Sequence, residues 1–348
     1  MKKKTWVLLL ILSAFALSGL LLWKIFASQK ISRAVTPAAG VSAAVSEKYI
    51  NEPIQPVPLS IELSRQKVSL GQKLFNDPRL SRNGTISCAS CHNLAKGGTD
   101  QLPVSRGMDD ALGEVNAPTV FNSGLSFKQF WDGRADTLED QVEGPLHNSK
   151  EMDAPEWPEV LSHLSSDAAY AASFSSLYPQ EGITRTTVKN AIATFERSLI
   201  TPNSRFDKYL RGDDNAITDQ EKEGYRLFKD LGCVVCHQGV AVGGNMFQTF
   251  RKFGDYFADR GNVKKADLGR FNVTGQERDR YKFKVPSLRN VEVTHPYFHD
   301  GTAQTLDKAV QVMAKYQLGM ELPQNEIDAI TAYLKTLTGE YEDHSLDR

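Results

Sequence analysis

Two five-residue stretches decide how this chain is read: Cys88-Ala-Ser-Cys91-His92 and Cys233-Val-Val-Cys236-His237. Each places two thiols and an imidazole within one turn of chain. That suits thioether attachment of a porphyrin, with the histidine under the iron as proximal ligand. The alternatives for such a cluster are a zinc site or a redox cysteine pair. The 348-residue chain has only these 4 cysteines. The two motifs use every one, which leaves none for a structural disulfide and favours two c-type haems.

The motifs belong to a larger internal repeat. Gly71-Gln-Lys-Leu-Phe-Asn-Asp77 precedes the first, and Gly224-Tyr-Arg-Leu-Phe-Lys-Asp230 precedes the second. A glycine pair follows each, Gly97-Gly98 and Gly243-Gly244. Further on, Ala117-Pro-Thr-Val-Phe-Asn122 with Phe130-Trp-Asp-Gly133 returns as Val285-Pro-Ser-Leu-Arg-Asn290 with Phe298-His-Asp-Gly301. Pro118 pairs with Pro286 and Val142 with Val310 at one constant offset, so no gap is needed. Each half then closes on an amphipathic helix: Val188, Ile192, Phe195 and Leu199, then Ile327, Ile330, Tyr333, Leu334 and Leu337. The expectation is a mainly α protein of two tandem cytochrome-c-like domains, residues 61–202 and 203–348, with little sheet.

The N-terminus carries three lysines and then a uniformly apolar run from Trp6 to Trp23. At about 18 residues the run is near the minimum for a bilayer span, and the lysines orient it with the body outside. Residues 1–27 therefore read as a single transmembrane helix, with a cleaved signal peptide as the alternative. Residues 28–60, rich in Ala, Ser, Val and Pro, read as an extended tether. Either reading exports the body to the periplasm, anchored at the inner membrane in the first case. The formal net charge of −1 gives no electrostatic case for nucleic acid.

The repeat makes the two haems unequal. A methionine sixth ligand closes an iron for electron transfer. Met246, Met313 and Met320 are candidates in the second half. Met313, at the end of a helix through Leu306, Ala309 and Val310, is preferred. Its counterpart at the repeat offset is Pro145, and Gly144-Pro145 is expected to end the helix there. The first iron thus lacks the equivalent ligand and is open to a small molecule. Gln141, in place of Ala309, and Glu151 lie in the segment replacing the ligand. Glu151 is placed to move a proton between the oxygens of a bound hydroperoxide; a solvated loop is the plainer alternative for both. His147 and His163 are rival bases. Trp131, matching His299, reads as an electron bridge or a buried structural ring.

On these motifs, with Lys150-Glu-Met152, Pro296-Tyr-Phe-His299 and Gln317-Leu-Gly319, the sequence resembles the bacterial diheme cytochrome c peroxidases over about residues 50–340. The resemblance implies a peroxidase reducing hydrogen peroxide to water. Electrons would come from a small cytochrome c or cupredoxin, or from quinol if the chain is anchored. It implies His92 proximal at the peroxidatic haem, His237 and Met313 on the electron-transferring haem, Trp131 between the haems, and Gln141 and Glu151 lining the peroxide pocket. It further implies a calcium ion between the domains, held by Asn116 and the main-chain oxygens of Thr294 and Pro296. One departure stands out. Met108, in Ser105-Arg-Gly-Met108, replaces a histidine that caps the peroxidatic iron in typical members. Met108 either caps it more softly or leaves it open. Relatives are often homodimers, though the sequence shows no dimer face. The competing functions are a non-enzymatic diheme carrier and a diheme oxidase acting on a partner protein. The oxidases carry tyrosine in place of Met313, which argues against that reading.

Overall fold

The computed structural model describes residues 45–347. The expected membrane helix and the first part of the tether lie outside them. Among the described residues no helix is long and apolar enough to cross a membrane. The fold is mainly helical. Its principal helices are α1 (Arg65–Phe75), α2 (Leu138–Gln141), α3 (Glu143–His147), α4 (Trp157–Ser166) and α5 (Ala168–Leu177). They continue with α6 (Arg185–Ser198), α7 (Asp219–Asp230), α8 (Leu306–Met313) and α9 (Gln324–Lys335). Among the described residues the strands form two short hairpins, one of them pairing β1 (Phe247–Thr249) with β2 (Lys282–Lys284).

The repeat is built into the packing. α1 packs on α6 and α7 on α9. At each crossing a glycine lets two backbones touch. A Cβ on Gly71 would stand 2.0 Å from the Ala191 carbonyl oxygen, and one on Gly224 would stand 1.9 Å from that of Ala329. Only hydrogen fits there. The apolar stripes of α6 and α9 face inward, and all their expected core residues are buried. Matching caps start matching helices. The Thr137 and Thr305 hydroxyls accept from the amides of Asp140 and Lys308, opening α2 and α8. Such caps are worth about 1 kcal/mol each.

The halves meet at Thr201. Asn122 and Asn290, a pair at the repeat offset, both adopt the left-handed conformation, at φ 58° and 61°. Their side-chain amides donate to the Thr201 hydroxyl at 2.7 and 3.1 Å. The contacts flanking this seam are reciprocal. Gly133 of the first half abuts Phe247 of the second, and Gly301 of the second abuts Pro103 of the first. Both glycines have positive φ, which strains any side chain; at Gly301 the neighbour is Pro103 backbone, which cannot swing aside, whereas at Gly133 it is the tip of the Phe247 ring.

Two expectations need correction. The helix through Gln141 does not end at Gly144-Pro145. The helical path runs on through Val142, whose dihedrals stay right-handed helical, and α3 carries Pro145 as its third residue. The first-turn amides of a helix have no intrahelical acceptor, so proline costs little there. The tether is also not free along its length. From residue 45 it forms a strap on the second half, burying Tyr49, Ile54 and Val57, with Tyr49 and Ile54 in that half's core. It pairs with the chain at Gly239, through Gln55 N–H to the Gly239 carbonyl and Gly239 N–H to the Pro53 carbonyl. Glu52 accepts from Tyr225 Oη at 2.5 Å. The composition suggested extension; the described part opens with a 3-10 turn at Glu47–Tyr49 and includes no strand. Its buried apolar side chains are what bind it down.

Candidate functional site

Each haem motif forms a short helical turn that presents its histidine from a fixed backbone. His92 Nδ1 lies 3.2 Å from the Gly98 carbonyl, and His237 Nδ1 lies 3.2 Å from that of Val242. This hydrogen bond sets the tautomer and orients Nε2 as the free ligand atom. Burial pushes both imidazoles down, His237 to about 4, which keeps them in the neutral, metal-binding form. All four cysteines are free. Two unpaired thiols beside an oriented, neutral imidazole, twice over, fit covalently held haem.

The second site has room for it. Cys233, Cys236, His237 and Met313 line one cavity of about 530 Å³. Met313 closes α8, and the chain continues through one wide helical turn, Ala314–Leu318, to Gly319 at φ 72°. Such wide turns recur where a helix must aim a functional side chain. Met320 also lines the cavity, at 40% exposure. Met246 is not part of its lining and instead pairs its carbonyl with the Val285 amide.

The first site is assembled from two loops. Met108 is 1% exposed, and its amide donates to the Glu151 carbonyl at 2.8 Å. Gly107 packs so tightly on Lys150 and Glu151 that no Cβ fits. The Arg106 carbonyl lies 4.0 Å from Cys91 Sγ. The structure thus brings Met108, Glu151 and the first haem motif together. Glu151 is half-buried, and burial pushes its carboxyl up, against a 2.6 Å hydrogen bond from Asn148 Nδ2. Gln141, also half-buried, is the last residue of α2. The rival histidines sit elsewhere. His147 Nδ1 turns to the Ala154 carbonyl, its ring packs edge-on against Trp157, and His163 is exposed on α4.

Trp131 joins the halves. Its indole N–H donates to the Asn116 carbonyl at 2.9 Å, and its own carbonyl accepts from the Lys284 amide at 2.8 Å. The Asn116 amide in turn donates to the His299 carbonyl at 2.8 Å. The Asn116 side-chain N–H₂ donates to the Leu102 carbonyl, which leaves Oδ1 as the free end. Asn116, Thr294 and Pro296 all border the same cavity as Trp131.

One network gave no hint in the sequence. His299 Nε2 lies 2.7 Å from Asp267 Oδ1. Asp267, His299 and Asp300 cluster as metal ligands would. Arg260, however, bonds both carboxylates, Asp267 at 2.6 Å. A guanidinium in that position fills the role of the cation. Despite burial, these partners hold the Asp267 carboxyl well below the usual range. Phe283 stacks on His299 with ring centroids 4.4 Å apart. Arg260 and Asp267 lie in a segment without a repeat partner, so only His299 could have drawn attention, as the counterpart of Trp131.

A family model described as di-haem cytochrome c peroxidase matches residues 65–215. The chain is 46% identical over 314 residues to the cytochrome c551 peroxidase of Nitrosomonas europaea, covering 90% of each. It belongs to the diheme cytochrome c peroxidase family. It is also 49% identical over 301 residues to the cytochrome c peroxidase Ccp of Escherichia coli, covering 86% of this chain and 64% of that protein. Among solved structures, a MauG-like protein associated with microbial copper homeostasis superposes with a TM-score of 0.73 at 32% identity, covering 84% of this chain and 94% of that one. Membership in a diheme family carries two haem groups, one for each Cys-x-x-Cys-His motif.

Proposed function

We propose that this peroxidase-family chain reduces hydrogen peroxide to water at the haem held by Cys88, Cys91 and His92. Its electrons enter through the haem held by Cys233, Cys236, His237 and Met313. The observation that carries the reading is the asymmetry of the repeat. Met313 borders the cavity of His237, while its counterpart Pro145 lies inside α3 and offers no ligand atom.

When bound, the haems supply the electrons and the iron centre at which the peroxide bond is cleaved. The chain supplies the proton traffic and the geometry. With haem held there, Glu151 would be the group that accepts a proton from one peroxide oxygen and returns it to the other, so that the departing oxygen leaves as water. Burial suits it to both steps by raising its carboxyl toward working pH. Asn148 fixes the carboxyl's direction, and Gln141 lines the pocket. Met108, on the loop bonded to Glu151, would either cap the first iron at rest as a soft ligand or leave it open. Trp131, bonded to both halves, bridges the route between the haems. Asn116 Oδ1 with the carbonyls of Thr294 and Pro296 makes an all-oxygen set that suits calcium.

The donor is a small cytochrome c or a cupredoxin in the periplasm, with quinol accessible if residues 1–27 anchor the chain to the inner membrane. The test mixes half-reduced protein rapidly with peroxide. A high-spin signal from the first haem that vanishes on mixing, with turnover supported by reduced cytochrome c, supports the reading. Two six-coordinate irons inert to peroxide would instead identify an electron carrier.

A further inference from the structure

α6 buries one carboxyl that the peroxide chemistry leaves without a task. Glu196 is 6% exposed, and its Oε2 has no hydrogen-bond partner among the described residues. An unpaired buried carboxyl is costly, and an apolar residue would pack there without that cost.

The repeat shows what Glu196 faces. The Gly71–Ala191 and Gly224–Ala329 crossings align α6 with α9, Ala191 on Ala329. Phe195 then matches Tyr333, and each sets its ring 5.2 Å from a partner on the crossing helix, Phe75 or Phe228. One residue on, Glu196 matches Leu334. Leu334 lines the cavity that holds Cys233, His237 and Met313. Glu196 therefore stands where the second half puts leucine against its haem. Consistently, its charge acts on Cys88, while it is not among the groups that act on His92.

The charged groups around it are few. Arg197, on the same helix, is held by Glu139 of α2 through bonds of 2.8 and 2.6 Å. α1 offers Gly71 and Phe75 at the crossing and leaves Arg65 and Lys73 exposed. The Cys88 sulfur carries no charge as a thioether. Burial then dominates and pushes the Glu196 carboxyl up to about 8.

We propose that Glu196 couples a proton to the electron at the first haem, gaining one when that haem is reduced and releasing it on oxidation. The inference rests on Cys88, Cys91 and His92 holding that haem. An oxidised haem carries one more positive charge than a reduced one and so favours the carboxylate beside it. The electron from the second haem would lower the charge of the first haem by one, and a separate proton from solvent hydronium would convert the Glu196 carboxylate to the acid: its O–H bond forms as one O–H bond of hydronium breaks, leaving water. At the second site the matching position is Leu334, which carries no proton.

The test is a spectroelectrochemical titration of the two-haem protein from about pH 5 to about pH 9, spanning an ordinary and a raised glutamate. One proton per electron shifts the midpoint by about 59 mV for each tenfold change in proton activity. The first haem of the native protein should approach that slope. Glu196→Gln and Glu196→Leu should both flatten it and leave the second haem's slope unchanged. Glu196→Leu copies the packing of the second half and covers the case where glutamine disturbs folding. A flat native response, or an undiminished slope in the variants, overturns the proposal. Haem content separates this from the underlying assignment: if Cys88→Ala still holds both haems covalently as firmly as the native chain, the attachment reading itself falls.

Discussion

Gly107→Ala adds one methyl group to the loop that carries Met108, and the surroundings of that methyl are all backbone. It would stand 2.1 Å from the Lys150 carbonyl oxygen and 2.6 Å from both Cα and O of Glu151. Gly107 has φ −103° and ψ −148°, outside the usual β range, so an alanine's own backbone preference adds to the steric clash. No side chain can swing aside. An ordinary contact starts at 3.4 Å. Close-packed loops can reach it only by parting, by about 1 Å. That movement breaks the Met108 N–H···O=C Glu151 bond and shifts the carboxyl relative to the haem motif. A displacement of about 1 Å costs on the order of 10²-fold in rate, and forced overpacking costs about 1–3 kcal/mol in stability. Peroxide turnover with reduced cytochrome c should therefore fall about 10²-fold. The first haem's electron paramagnetic resonance signal should change, and the second haem's spectrum should not. Turnover within about threefold of native, with an unchanged first-haem signal, would show that the two loops do not position the reaction, since a real displacement costs far more.

Glu151→Ala should lower peroxide turnover by about 10²–10⁴-fold at saturating donor; a loss under tenfold counts against a proton-transfer role. Met108→Ala should turn the oxidised first haem high-spin if Met108 caps the iron, and an unaltered resonance spectrum sinks that ligation. Arg289→Met strands Asp207, since the pair, 1% and 0% exposed and 2.8 Å apart, is buried; urea unfolding should show a loss of about 3–5 kcal/mol, and a loss under about 1 kcal/mol would refute a structural role for the pair. Burial works against ionised Glu143, but hydrogen bonds from Arg185, Lys189 and Trp157 win and hold its carboxyl down at about 2. Its contribution is present above the unfolded value near 4.5 and is lost as pH falls toward about 2. Glu143→Gln should therefore narrow the stability gap to the native chain in acid, and a gap constant from pH 7 to about pH 3 would contradict the assignment.

How much of this was legible in the sequence depended on whether a feature repeats. The crossings at Gly71 and Gly224, the caps at Thr137 and Thr305, and the seam at Asn122 and Asn290 all sit in matched blocks. A position that occurs twice under the same constraint shows that constraint. Met313 stood out for the opposite reason, as a residue that its twin lacks, and the structure sets it in the lining of the cavity that holds His237. The α3 continuation was not legible, because proline is read as a helix breaker unless its place in the first turn is known. The strap was missed because proline and alanine mask the burial of Tyr49 and Ile54, which depends on a surface built from Phe206, Tyr225, Val242 and Val291, far along the chain. The Arg260–Asp267–His299 network joins residues from a unique segment to one repeated position, and no local pattern marks such a union. Glu196 was passed over inside an amphipathic helix, since α6 and α9 align at a shorter offset than the blocks that mark the repeat.

The matched positions also show how one domain plan supports two tasks. Where the second half carries Met313, Leu334 and Arg289, the first carries Pro145, Glu196 and Phe121. Arg289 binds Asp207, Val240 and the strap at Gln55, so the electron-entry half is clamped by charge and by extra chain. Phe121 fills the same place with an apolar ring against Tyr341. The clamped half has every reason to stay rigid, because electron transfer rewards a fixed ligand set. The first half, proposed to face peroxide, has no counterpart of Met313, carries Met108 on a separate loop, and holds a half-buried Glu151 and a buried Glu196 whose carboxyls burial pushes up. A haem that only passes electrons needs no proton. A haem that delivers electrons to peroxide must bring protons with them, and both raised carboxyls lie on that side of the molecule.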